Sequence, residues 1–259
     1  MRTLSLLLLC CMALFHASGQ PGSLDPSFGN KGIQTTAFTT NVNILNEQGR
    51  AVLTNTNGDI FVVLDIGSIV KYLPDGRLDS SYGNAGYSNP VNLDVAGAAF
   101  QGDKIIVAGT IFHFDLYGSP YNSFALARYK ADGILDSSFG VNGKVTTNFF
   151  EIIYDRTNAI ALQGNKIIVG GYTDAYSALA RYTTNGTLDS SFGVNGLVTT
   201  NLVGGVNTIT ILEDKVIVAE DGWGDFTLAR YTADGTLDSS FGVNGLVTTD
   251  FGHRFVRFM

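Results

Sequence analysis

The sequence has 259 residues, with 31 glycines against 5 prolines and a formal net charge of −7. A chain this acidic lacks the surplus of Lys and Arg from which phosphate-backbone binding draws its affinity, so nucleic acid is excluded as a partner. Both cysteines, Cys10 and Cys11, fall among the first 20 residues, so no disulfide framework and no thiolate metal site supports the rest of the chain.

The chain opens with a basic Arg2, a largely apolar run from Leu4 to Phe15, and the small residues Ala17, Ser18 and Gly19. This is the pattern of an export signal, and the run is too short for a bilayer span of about 20 residues. We expect residues 1–19 to be removed, leaving Gln20 at the mature end, and the product to be secreted: extracellular, on the cell surface or periplasmic. A lipid anchor fits less well, because the cysteines sit inside the apolar run. No later segment is long and apolar enough to cross a membrane.

One phrase then recurs. It begins as Leu24-Asp25-Pro26-Ser27-Phe28-Gly29 and returns from Leu78, Leu135, Leu188 and Leu237, at steps of 54, 57, 53 and 49 residues. A period of that length indicates a propeller or a solenoid. Around the phrase stand four short segments per unit. An alternating apolar stretch comes first, such as Asn158 to Leu162 or Asn207 to Ile211. A β-branched run follows (Lys104 to Val107, Lys166 to Val169, Lys215 to Val218), then Leu-Ala-Arg-Tyr from Leu126, Leu179 and Leu228. The last is Lys144 to Thr147, Leu197 to Thr200 or Leu246 to Thr249. Four strands separated by Gly, Asn and Asp make a propeller blade, and no stretch carries sustained helical spacing.

The expected fold is therefore all-β, a β-propeller of four-stranded antiparallel blades in a single domain over residues 20–259. Its units are approximately 37–90, 91–148, 149–201 and 202–250. The first unit departs most, with Tyr87 to Pro90 in place of Val-Thr-Thr. The bookkeeping leaves a surplus fourth strand, Ile33 to Thr36, and an unfinished first strand, Phe255 to Met259. These read as unpaired ends of an incomplete ring, through which the chain can self-associate.

The run from Phe124 through Leu126-Ala127-Arg128-Tyr129 and Leu135-Asp136-Ser137-Ser138-Phe139 to Gly140 resembles the delta-60 repeat family. The resemblance covers residues 23–251. It implies a secreted bacterial propeller-like repeat protein without a defined activity, and it carries no catalytic residues over.

Candidate chemistry is thin. The recurring Asp79, Asp136, Asp189 and Asp238 could be oxygen ligands for calcium, but one acid per unit lacks the clustered ligands of a calcium loop. We read them as turn residues that bond backbone amides, and expect no metal and no cofactor. Arg128, Arg181 and Arg230 recur on a strand flanked by neighbouring blades, where a guanidinium must be paired. The repeat's own Asp is the nearest recurring carboxylate. No catalytic motif appears, and Asn185-Gly186-Thr187 is a glycosylation sequon lying inside the repeated turn.

Comparing units separates two faces. Connections after the third strand and before the second are nearly uniform. Those after the second strand differ (Gly109 to Ser123, Gly171 to Ser177, Glu220 to Asp225), as do those after the fourth, and in a propeller both emerge on one face. The varied face carries the candidate ligand-binding residues His113, Asp115, Tyr117, Tyr121, Asp174, Tyr176, Asp221, Trp223 and Asp225. Aromatics with acidic neighbours suit contact with an extracellular protein or a glycan. The expected function is thus a non-catalytic binding or scaffold module. The alternative is a propeller hydrolase or lyase acting on polysaccharide, with a loop carboxylate such as Asp221 as acid/base.

Overall fold

The computed structural model describes residues 23–36, 48–150, 154–174, 176–222 and 225–250. The export segment, Trp223 and the Phe255 to Met259 strand lie outside the described residues.

The β-branched runs form strands as their alternation dictates. The first sheet holds β1 (Gly49–Thr54), β2 (Ile60–Leu64) and β3 (Ile69–Tyr72). The second holds β4 (Asp94–Gln101), β5 (Lys104–Phe114), β6 (Pro120–Tyr129) and β7 (Lys144–Thr147). In the third, β8 (Asp155–Gln163), β9 (Lys166–Thr173) and β10 (Tyr176–Tyr182) are followed by β11 (Leu197–Val203). The fourth comprises β12 (Val206–Leu212), β13 (Lys215–Gly222), β14 (Asp225–Tyr231) and β15 (Leu246–Asp250). Every sheet is an antiparallel meander in chain order. Consecutive first strands touch, β1 with β4, β4 with β8 and β8 with β12, so they line the inner edge of a stack of sheets.

The two middle sheets bury both faces, one on each neighbour, and the first and fourth each bury one. Ile105, Val107, Ala127 and Tyr129 of the second sheet pack with Phe61, Val63 and Ile69 of the first. Its opposite face, Ile106, Ala108 and Leu126, packs with Ile167, Val169 and Ala180 of the third. The third turns Ile168 and Leu179 to Val216, Val218 and Ala229 of the fourth. The central strands of the two middle sheets, β5, β6, β9 and β10, are buried at both parities for this reason. A register shift recurs between the first and second strand of every sheet, at Gly49/Ala51, Val95/Gly97, Thr157/Ala159 and Val206/Thr208. Such bulges increase local twist.

Two expectations are corrected at the amino-terminal end. The fourth strand of the first unit shrinks to a single bridge, Val70 to Tyr87, because Pro90 and its neighbours offer no alternating run to extend it. Ile33 to Thr36 is not a strand. Among the described residues Ile33 bridges only to nearby Asn30, and Thr36 meets the first sheet through its side chain alone, Oγ1 lying 2.8 Å from the Tyr72 hydroxyl. Among the described residues no strand of the fourth sheet joins the first, so the ring is not closed. There is no helix among the described residues that is long and apolar enough to cross a membrane.

Candidate functional site

The recurring Arg and Asp form a latch between blades, repeated with small variations. Asp136 uses its two oxygens separately. Oδ1 accepts from the Ser138 amide and hydroxyl at 3.2 and 2.7 Å, closing the turn. Oδ2 accepts from Arg128 Nε at 2.9 Å and Lys104 Nζ at 2.7 Å. Asp189 with Arg181 and Lys166, and Asp238 with Arg230 and Lys215, repeat the arrangement. Both readings of the sequence therefore hold at once: each Asp serves its turn and pairs with its Arg. The lysine is an addition the sequence did not announce. Desolvation raises the Asp136 and Asp189 carboxyls, but the lysine, serine and arginine contacts outweigh it and hold both well below the usual carboxylate range.

The arginine reaches onward. Arg128 Nη1 donates to Thr184 O of the next blade at 2.6 Å, and Arg181 Nη1 donates to Ala233 O. Each guanidinium lies over the phenyl ring of its own phrase, at 4.6 Å on Phe139 and 4.5 Å on Phe192. That ring rests on the turn glycine of the following blade, Phe139 against Gly186 and Phe192 against Gly235, where a Cβ would sit about 2.8–2.9 Å from ring carbons. The next residue of the phrase then donates its amide across the junction, Gly140 to Asn185 O at 2.9 Å and Gly193 to Asp234 O at 2.7 Å. The sequon asparagine thus belongs to a junction. In the first blade Lys71 replaces arginine and is held by Asp59 and Asp79 at 3.1 and 2.8 Å. A cleft of about 590 Å³ lies beside Lys71, between the first two blades. Two carboxylates on the single Lys71 ammonium, with Asp103 also on the lining, leave that cleft net negative.

The opposite, varied face carries the candidate ligand residues. The segments read as loops are largely strand. β5 runs on to Phe114 and β6 begins at Pro120, so only 115–119 turn. His113 pairs across this hairpin with Tyr121, and their rings stack at 4.8 Å. Asp115 is spent on the turn itself: Oδ1 accepts from the Tyr117 and Ser119 amides at 2.8 and 2.7 Å. What the sequence reading missed is Phe112, Phe114 and Leu116, which join the expected Tyr117 on the outward side and tip of the ribbon. Phe112 and Phe114 are 60% and 73% exposed, and Leu116 and Tyr117 at the tip 101% and 93%. The signal was alternation of Phe112 and Phe114 with His113, masked by its resemblance to a long loop.

Asp174, with a left-handed φ of 53°, and exposed Tyr176 occupy the corresponding tip of the third blade. Tyr154, also exposed, bridges to Asn122 at the base of the ribbon, so connections after second and fourth strands do meet on one face. Of Asp221 and Asp225 only the backbone is described, in β13 and β14. Neighbouring Glu220 is buried on β13, where the sequence placed a variable loop. Among the described residues no group of three His, Cys, Asp or Glu could hold a metal ion.

Three stretches, residues 101–139, 165–192 and 215–241, match the family described as "Domain of unknown function (DUF5122) beta-propeller". They span the second strand to the phrase in the second, third and fourth blades. The fold is that of a β-propeller with an open ring. Similar solved structures include a protein of unknown function from Bacteroides caccae, at 14% identity and TM-score 0.44, with 73% of this chain and 62% of that one covered. Another is the Pan2 WD40 domain of Neurospora crassa, at 8% identity and TM-score 0.43, with 72% and 50% covered. The propeller thus spans less than two thirds of either. No curated protein matches the sequence.

Proposed function

We propose that this propeller is a secreted or cell-surface binding module of the delta-60 type, without catalytic activity, which engages an extracellular protein or polysaccharide through its varied face. The observation that carries the reading is the β5–β6 ribbon, which holds Phe112, Phe114, Leu116 and Tyr117 out in solvent. Isolated exposed apolar residues are ordinary, but a contiguous group of them marks a contact surface. Aromatic side chains supply much buried area at low cost in conformational freedom. The ribbon's inward side is occupied by its own groups: the Asp115 carboxylate closes the turn and the His113 ring stacks on Tyr121. Its outward side is left to a ligand, and an apolar strip of this kind favours a protein partner over a glycan.

The test is a combined glycan and protein array, probed with the wild-type chain and with Phe114→Ser/Tyr117→Ser. Exposed substitutions of this kind cost within about 0.5 kcal/mol of stability, so folding is kept. A ligand bound by the wild type and lost at least tenfold in the variant supports the reading. A ligand retained equally by both, or turnover in a parallel hydrolase screen, overturns it.

A further inference from the structure

The interblade junction recurs once more than the described interblade contacts require. At the three interior junctions an aromatic ring sits on the next blade's turn glycine and a glycine amide donates across. These are Tyr82 and Gly83 on Asp132-Gly133, Phe139 and Gly140 on Asn185-Gly186, and Phe192 and Gly193 on Asp234-Gly235. The first blade's own turn, Asp75-Gly76, receives the same contact from Leu24–Gly29. Gly29 donates to Asp75 O at 2.8 Å, and a Cβ on Gly76 would meet the Phe28 ring at 2.9 Å. The phrase that ends a blade elsewhere here belongs to no described sheet.

The far end shows the converse. The fourth blade carries the full donor half, Phe241 and Gly242, with Ile217, Leu228 and Arg230 on the face beside it. Ile217, Leu228 and Phe241 are only half-buried, where Ile168, Leu179 and Phe192 are fully buried. The Arg230 side chain is 19% exposed, against 5% for Arg128 and 3% for Arg181. At the other end, Ile60, Val62 and Tyr72 of the first blade are half-buried, where Ile105, Val107 and Tyr129 in the same register are buried. The two ends are thus the two halves of the interface that already joins blades inside the chain.

We propose that the open face of the fourth blade docks the first blade of a second copy of this chain, and that Leu24–Gly29 caps the acceptor in cis. The cap and the incoming Leu237–Gly242 phrase compete for one turn, Asp75-Gly76, whose glycine admits a single ring. With the cap seated, the chain stays a monomer. With the cap displaced, copies join head to tail, a heterologous contact that yields a ring if it closes and a filament if it does not.

The experiment is solution mass by sedimentation on the full chain and three variants at matched concentrations. Phe28→Ala empties the acceptor, and Phe28→Leu is a milder change should the alanine variant lose its cooperative melt. Phe28→Ala/Phe241→Ala also removes the incoming ring. The expected result is a monomeric wild type, multiples of the chain mass for either Phe28 variant, and return to monomer in the double variant. Addition of a synthetic peptide spanning residues 23–36 should dissolve the assembly, and the same peptide with alanine for Phe28 should not. Phe28 variants that remain monomeric overturn the proposal, as does assembly that survives Phe241→Ala or a wild type already assembled. A monomeric Phe28 variant with a protected Gly242 amide would assign the open face to the chain's own residues 251–259.

Discussion

The Arg181–Asp189 pair gives the most decisive prediction about what holds the blades together. Arg181 is 3% exposed at its side chain and Asp189 10%, with the ions 2.8 Å apart. Removing one member of a buried pair typically costs about 3–5 kcal/mol, because the other charge is stranded. The two truncations are not equivalent here. Arg181→Met leaves Asp189 with Lys166 at 2.7 Å and with its Ser191 bonds, so its cost should fall to about 2–3 kcal/mol, below the range for a stranded charge. Asp189→Ala removes the neutralising carboxylate from both cations and the two bonds that close the turn, and should cost about 4–5 kcal/mol. The double variant strands neither member, so it should cost less than the sum by about 1–3 kcal/mol. The assay is urea unfolding followed by far-UV circular dichroism and by tyrosine fluorescence, with coincident transitions required. Additivity within about 0.5 kcal/mol would remove the pair as a unit. A costlier Arg181→Met than Asp189→Ala would refute the separate turn duty of Asp189.

Four further outcomes can be checked. The Asp136 and Asp189 carboxyls are held below their unfolded range, so their contribution is intact above about pH 4 and is lost as pH falls further; denaturant midpoints should drop there. Burial pushes the Tyr182 and Tyr231 hydroxyls up, helped by the negative charges of Asp155 and Glu220, so that stabilisation is present below about pH 10 and is lost above it. Melting curves at pH 8 and pH 11 check the second sign. Chelator should leave the melting temperature within a few degrees, since a metal bound only by the folded chain would stabilise by mass action; a larger fall would reveal a site. Intact-mass analysis of exported material should show Gln20 as the first residue, and retention of residues 1–19 would refute the export reading.

Much of the blade architecture was legible because burial on both faces leaves a mark on every residue. Strands such as Lys166–Thr173 are apolar at both parities, and the Asp-Gly and Asn-Gly turns sit at fixed offsets from them. The Arg–Asp pairing was legible from its repetition. Its sharing was not, since a carboxylate has two oxygens and residue identity does not say that Oδ1 takes the turn while Oδ2 takes Arg and Lys. Lys104, Lys166 and Lys215 stand at strand starts with no mark of a partner, and only the fold brings them onto the acid. The ribbon was misread for the opposite reason. Phe112 and Phe114 alternate as a strand requires, but no neighbouring sheet covers them, and variation between units made the stretch look like a loop. The lost fourth strand of the first blade was foreshadowed by Pro90, which has no amide to give a ladder.

The open ring is tested most directly by the amides that cross the blade junctions. Gly29, Gly83, Gly140 and Gly193 each donate to the following blade, while Gly242 has no such acceptor among the described residues. Hydrogen exchange of a glycine-labelled sample, read by nuclear magnetic resonance at concentrations where the chain is monomeric, distinguishes them. The open propeller requires slow exchange at Gly83, Gly140 and Gly193, and at Gly29 while its cap is seated, with exchange at Gly242 faster by at least tenfold. A Gly242 amide as slow as Gly140 in the monomer would contradict it, because the last junction would then be filled.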